Sequence, residues 1–223
     1  MLVTRRTLNR ALAAGALVGL LPAMPGPGAA QAGKVPTDRL FDVLLKGKSI
    51  GRHAITFTPE GNGFWAVTDL NLKVKLAFLT LLDMSHQSRE LWRGGELKSM
   101  TSVTDDDGEV FKVDADADGE GIRVQSESGS IVAPPMSRTS NSIWDITMMR
   151  QSEIIDAQNG GVIGLVAEAQ GDDTIQVVGR QVTAARYRGV TPAAAAQLWY
   201  AEDRLVQVRL EVRGETVDYR LVA

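Results

Sequence analysis

Asp114, Asp116, Asp118 and Gly119 make the densest acidic run in the chain, D-A-D-A-D-G. Carboxylates at positions 1, 3 and 5 with glycine at 6 match the start of a calcium loop, where the acids ligate and the glycine turns the chain. The match then stops. The twelfth position, which should hold a bidentate glutamate, is Gln125, and the eighth is Gly121 where an apolar residue belongs. In a strand of period two the three acids are a solvated face, with Val113, Ala115 and Ala117 on the other, and Asp118-Gly119 is a hairpin turn. Weak calcium binding is the functional alternative; the plain reading needs no metal, and no cofactor is expected.

The chain has two histidines and no cysteine. Without cysteine there is no disulfide scaffold, thiolate nucleophile or Cys-ligated metal. Neither R-H-A-I around His53 nor S-H-Q-S-R-E around His86 belongs to a nucleophile motif, and G-x-S-x-G and H-E-x-x-H are missing. A hydrolase using either histidine with a carboxylate is the least favoured class. His86 shares its parity with Ser88, Glu90 and Trp92, so polar groups and an indole occupy one face, as a polar patch lining a cavity would.

Apolar candidates surround that patch. Trp65, Trp92, Trp144 and Trp199 are either core anchors or the wall of a ligand pocket. Leu76 to Leu82, with Phe78, is apolar on both parities: a strand covered on both sides or a hydrophobic flap. Trp144, Met148 and Met149 pose the same choice, methionine being an adaptable lining residue. The candidate ligand-binding set is His86, Trp92, Phe78, Trp144 and Met148. A packed core explains the same residues.

The elements that must position these residues alternate with period two almost throughout 33–223. Strands are expected at 39–46, 50–58, 64–76, 84–92, 96–104, 109–117, 121–127, 161–169, 173–178, 181–189, 196–201, 204–213 and 215–222. Turns fall at Gly94-Gly95, Asp107-Gly108, Asp118-Gly119 and the Gly-Asp-Asp of 171–173. The thirteen residues of 64–76 span roughly 40 Å at about 3.3 Å each, which suggests a tall, curved sheet. Only Ser140 to Arg150 reads as helical. The expected fold class is all-β with one or two short helices, a large curved antiparallel sheet in a half-barrel or open barrel, as a single domain.

Residues 1–32 differ in composition. Arg5, Arg6 and Arg10 precede an apolar stretch from Ala11 to Leu21, a Pro/Gly-rich piece, and Ala30-Gln31-Ala32. This is the pattern of a signal peptide cleaved near Ala32. T-R-R-T-L-N is of the twin-arginine kind, engaging the export machinery of that route, with an ordinary secretory signal as the alternative. The apolar run is about half of the roughly 20 residues a membrane helix needs, so no integral membrane segment is expected after cleavage. Cleavage would leave 191 residues at a formal charge of −6, from −3 for the 223-residue chain. Such an acidic chain disfavours nucleic acid as a partner. The expected location is the periplasm.

Several landmarks in order resemble a bacterial exported family catalogued as domain of unknown function 6134, distantly similar to family 3108. They are F-D-V-L-L-K-G-K-S-I-G-R-H (Phe41 to His53), S-R-E-L-W-R-G-G-E-L-K-S-M-T-S-V-T with Asp107-Gly108, T-S-N-S-I-W-D (Thr139 to Asp145) and L-W-Y-A-E-D-R-L-V (Leu198 to Val206). The resemblance implies an envelope protein on a large antiparallel sheet, curled like the lipoprotein carriers of the periplasm, without assigned catalytic residues. It favours a module that binds an apolar or lipid-like molecule in the concave face, the alternative being a ligand-free envelope assembly or interaction protein.

Overall fold

The structure is a computed structural model that describes residues 35–76, 79–212 and 214–222, without the side chains of 75–81 and 212. Residues 1–32, where a signal peptide is expected, and Phe78 lie outside the described residues.

Strands β1 (Arg39–Leu45), β2 (Lys48–Glu60), β3 (Gly63–Leu76), β4 (Leu79–Arg93), β5 (Glu96–Asp106), β6 (Glu109–Ala117), β7 (Ile122–Ser126) and β8 (Gly129–Ala133) form an antiparallel meander. A cover segment, 134–165, follows with the short strands β9 (Glu153–Ile155) and β10 (Val162–Gly164), which pair only with each other. Then β11 (Val166–Val177), β12 (Arg180–Val190), β13 (Ala195–Ala201), β14 (Arg204–Val212) and β15 (Glu215–Leu221) complete the sheet. Its order is β11-β12-β13-β14-β15-β1-β2-β3-β4-β5-β6-β7-β8, thirteen strands with free edges at β11 and β8. The expected large antiparallel sheet is present, and it is open.

The hairpins follow from local chemistry. Asp107 and Gly108 both take positive φ, 55° and 93°, the twist that a two-residue turn needs to match right-twisted strands. Asp114 and Asp116 are exposed on β6 while Val113 and Ala115 are buried. Asp118 accepts from the backbone N–H groups of Glu120 and Gly121 and pairs with Arg123 at 3.2 Å, so it builds a turn.

Three local expectations change. The Gly-Asp-Asp of 171–173 is a bulge within β11, where Gln170 and Gly171 have no partner between the pairs Ala169↔Tyr187 and Asp172↔Ala185. Strand β4 begins at Leu79, so 79–93 is one long element. The stretch from Ser140 to Arg150 forms two 3-10 turns, Ser142–Trp144 and Ile146–Arg150. Asp145 between them is extended (φ −104°, ψ 109°), and its carboxylate caps the second turn through the Thr147 N–H at 2.9 Å.

The inner face is filled by the chain itself. Met148, Met149, Ile154 and Leu165 pack on Phe41, Leu70, Tyr200 and Tyr219; Trp144, Ile155 and Ala157 pack on Ile55, Phe57, Trp92 and Met100. Among the described residues no helix is long and apolar enough to cross a membrane.

Candidate functional site

Alternation on β4 turns His86, Ser88, Glu90 and Trp92 to the inner face, and all four are buried there. Strand β5 supplies Thr104 opposite His86 and Ser102 opposite Ser88. The four share one buried face, as parity requires, and polar groups of the cover meet His86, Ser88 and Glu90 there.

His86 Nδ1 lies 2.8 Å from Thr104 Oγ1, and its Nε2 lies 3.0 Å from Asn141 Nδ2. The Asn141 amide also donates to Ser88 Oγ at 2.7 Å. An amide nitrogen only donates, so His86 Nε2 accepts and Nδ1 carries the proton given to Thr104. Burial lowers the His86 pKa, in agreement with a neutral ring.

Glu90 sits deeper. Its Oε1 accepts from Thr139 Oγ1 at 2.6 Å and its Oε2 from Trp92 Nε1 at 2.9 Å. Burial raises its pKa against the pull of those hydrogen bonds and of Arg138. Arg138 is itself buried, bonded through Nε to Asp145 Oδ2 at 3.0 Å, with its guanidinium 5.0 Å from the Trp92 ring centre. Ser142 Oγ accepts from the Thr139 N–H at 3.1 Å, and Ser102 Oγ donates to the Ala157 carbonyl at 2.6 Å. The cover is thus tied to the sheet by side chains. Among the described residues its backbone hydrogen bonds close on the segment itself, as in Ser140 N to Ile155 O and Ile155 N to Arg138 O, both 2.8 Å.

Of the expected site residues, Trp92 and Trp144 meet edge to face with centroids 5.5 Å apart, while His86 lies on the same face of β4 but six residues along the strand. Met148 belongs to the neighbouring cluster around Phe41 and Tyr200. Trp65 and Trp199 are elsewhere: Trp65 stacks under Arg89 at 3.8 Å, and Trp199 donates to Asp173 Oδ2 at 2.9 Å. The four tryptophans do not form one wall.

Sequence reasoning missed Arg138, Thr139, Asn141 and Ser142 as partners of β4. The available signal was a run of small hydrogen-bonding side chains, S-R-T-S-N-S, placed just before a tryptophan. It also passed over His53 as more than a strand residue. Both ring nitrogens of His53 are buried without a hydrogen-bond partner, 5.8 Å from the Tyr219 ring. Burial and the neighbouring His86 push its pKa down to about 4. No group of three or more His, Cys, Asp or Glu among the described residues could hold a metal ion.

The arrangement is a buried, hydrogen-bonded seat between sheet and cover. No curated protein matches the chain by sequence. A beta-barrel-like protein of domain of unknown function DUF1849 from Brucella abortus has a similar structure, with a TM-score of 0.63 at 11% identity. The match covers 84% of this chain and 96% of that one, and shows a shared fold. The family model for the domain of unknown function DUF6134 matches residues 41–222, which takes in the sheet but for the first two residues of β1, the cover and the seat between them; the chain belongs to that family.

Proposed function

We propose that this is an exported periplasmic protein that binds an apolar or lipid-like chain in its concave face, with segment 134–165 as a plug that the ligand displaces. The observation that carries this reading is how the plug is attached. Among the described residues it shares no strand pairing with the thirteen-stranded sheet, and its ties include side-chain bonds from Thr139, Asn141, Ser102 and Tyr200. Its departure would leave the sheet ladder whole. Its apolar face, with Trp144, Met148 and Met149, rests on short 3-10 turns, which carry little stability of their own. The arginine pair at Arg5 and Arg6 and the Ala30-Gln31-Ala32 ending support export.

The test is native mass spectrometry of protein taken from the envelope, with lipid extraction. It is joined to titration of a neutral apolar fluorophore, N-phenylnaphthylamine, into wild type and Asn141→Ala. Co-purified lipid and about tenfold tighter fluorophore binding by the loosened variant are expected. A lipid-free protein with no fluorophore binding in either form would overturn the reading. That result would favour an envelope assembly or interaction protein, which the tight inner packing around Trp92, 1% exposed, also suits.

A further inference from the structure

A second apolar cluster lies on the outer face. Trp199, Val206 and Ala184 are buried there, with Ile175, Val177 and Leu221 packed against them. The bulge at 170–171 bends β11, and the β11–β12 hairpin carries Ile175 and Val177 across the outer side of β14 and β15. Between hairpin tip and sheet remains a cavity of about 420 Å³, walled by Ile175, Val177, Val178, Val206 and Leu221, with Arg220 at its rim. That volume falls within the roughly 300–1,000 Å³ of small-molecule sites.

Two features point to an occupant. The first is charge. Among the described residues Arg220 makes no ion pair, and the two acids nearest it in register already accept from other side chains. Asp42, its partner across β1, accepts from Ser49 Oγ at 2.5 Å and has Arg52 on its other side; Asp218 is held by Arg209 at 2.8 Å. The second is the tip residue. Val178 adopts φ 45° and is 62% exposed, a conformation that a β-branched side chain takes only at a cost. Asparagine or glycine would suit that turn better, so an apolar side chain is held at the cavity mouth against local preference.

We propose that this cavity binds a free single-chain amphiphile with an anionic head, of the fatty-acid type. Its chain runs along Ile175, Val177 and Val206, and its carboxylate meets Arg220. The amides of Gln176 and Gln207, which also line the cavity, supply the remaining polar contacts for the head. None of the residues that line the site belongs to the plug.

The test is calorimetric titration of dodecanoate and of dodecanol into the purified protein. One-to-one dodecanoate binding is expected, about tenfold or more tighter than dodecanol, the strength of a hydrogen bond to a charged group. Arg220→Gln should erase that difference and Arg220→Lys should keep most of it. Val178→Asp, which suits the turn and so folds, should lose dodecanoate binding, and Val178→Asn should retain the head-group preference. Asn141→Ala, which loosens the plug, should leave the Arg220-dependent preference for dodecanoate over dodecanol unchanged, whatever apolar binding it adds in the concave face. Equal binding of the two ligands by wild type, or unaltered dodecanoate binding in both Arg220→Gln and Val178→Asp, would overturn the proposal.

Discussion

Asn141 and His86, 55 positions apart, meet at 3.0 Å between amide Nδ2 and imidazole Nε2, and this contact fixes the imidazole as an acceptor toward the cover. Removing the amide leaves His86 Nε2 and Ser88 Oγ buried with an unmet bond each. Asn141→Ala should cost about 2–3 kcal/mol in urea unfolding. Ser88→Ala, which removes one acceptor and leaves the amide its bond to His86, should cost less. Equal midpoints for wild type and Asn141→Ala would show that the contact holds nothing.

His53 sets the acid limit of stability. Unfolded, it takes a proton below about 6.5; folded, burial and His86 hold it to about 4. Its contribution is therefore complete above 6.5 and is lost as pH falls from there to about 4, roughly 3 kcal/mol in all. His86, also lowered by burial, acts in the same direction. Urea midpoints should drop across this window. His53→Leu should flatten the drop and, by removing two unpartnered buried nitrogens, raise neutral-pH stability by about 1–2 kcal/mol. An unchanged acid slope in His53→Leu would count against this account.

Glu90 runs the other way. Burial favours its neutral form, so its contribution is present below the unfolded carboxyl pKa and fades as pH rises through the folded one. An amide can donate to Thr139 and accept from Trp92 in the same places. Glu90→Gln should thus be within about 1 kcal/mol of wild type at pH 7, while Glu90→Ala, which strands the indole N–H, should cost about 2–4 kcal/mol. Comparable losses in both would mean that the charge itself is required.

Gly51 sits on β2 against the backbone of β3 at Asn71 and Leu72. A Cβ there would stand 1.9 Å from the Asn71 carbonyl oxygen, a backbone atom that cannot step aside. Gly51→Ala should destabilise by about 2 kcal/mol or more, with the loss of amide-exchange protection centred on the β2–β3 ladder. Gly47, in open space, should not behave this way when judged by contacts alone.

The sheet was legible because one side of it is wet: Asp69, Asn71 and Lys73 alternate with Leu70, Leu72 and Val74 along β3 as period two requires. The same parity put His86, Ser88, Glu90 and Trp92 on one face. Their partners were not legible, because 137–142 is irregular backbone with no period to say which side chains turn inward. The bulge at 170–171 escaped for a related reason, since Gly171 at φ 81° supplies the same left-handed residue that a turn would. Ser140 to Arg150 carried helical spacing, but Asp145 accepts a local bond and breaks the run.

Strand β1 lies between β2 and β15, so Phe41 faces His53 on one side and Leu221 on the other. The first of these pairings spans a tight hairpin, the second nearly the whole described chain. During synthesis β1 must therefore wait with one edge bare until β15 emerges, and the slow step of folding is expected to be that final capture. An engineered chain that joins β15 directly to β1 and opens the exposed Glu127-Ser128 turn would make the same closure local. It should fold faster to an unchanged sheet.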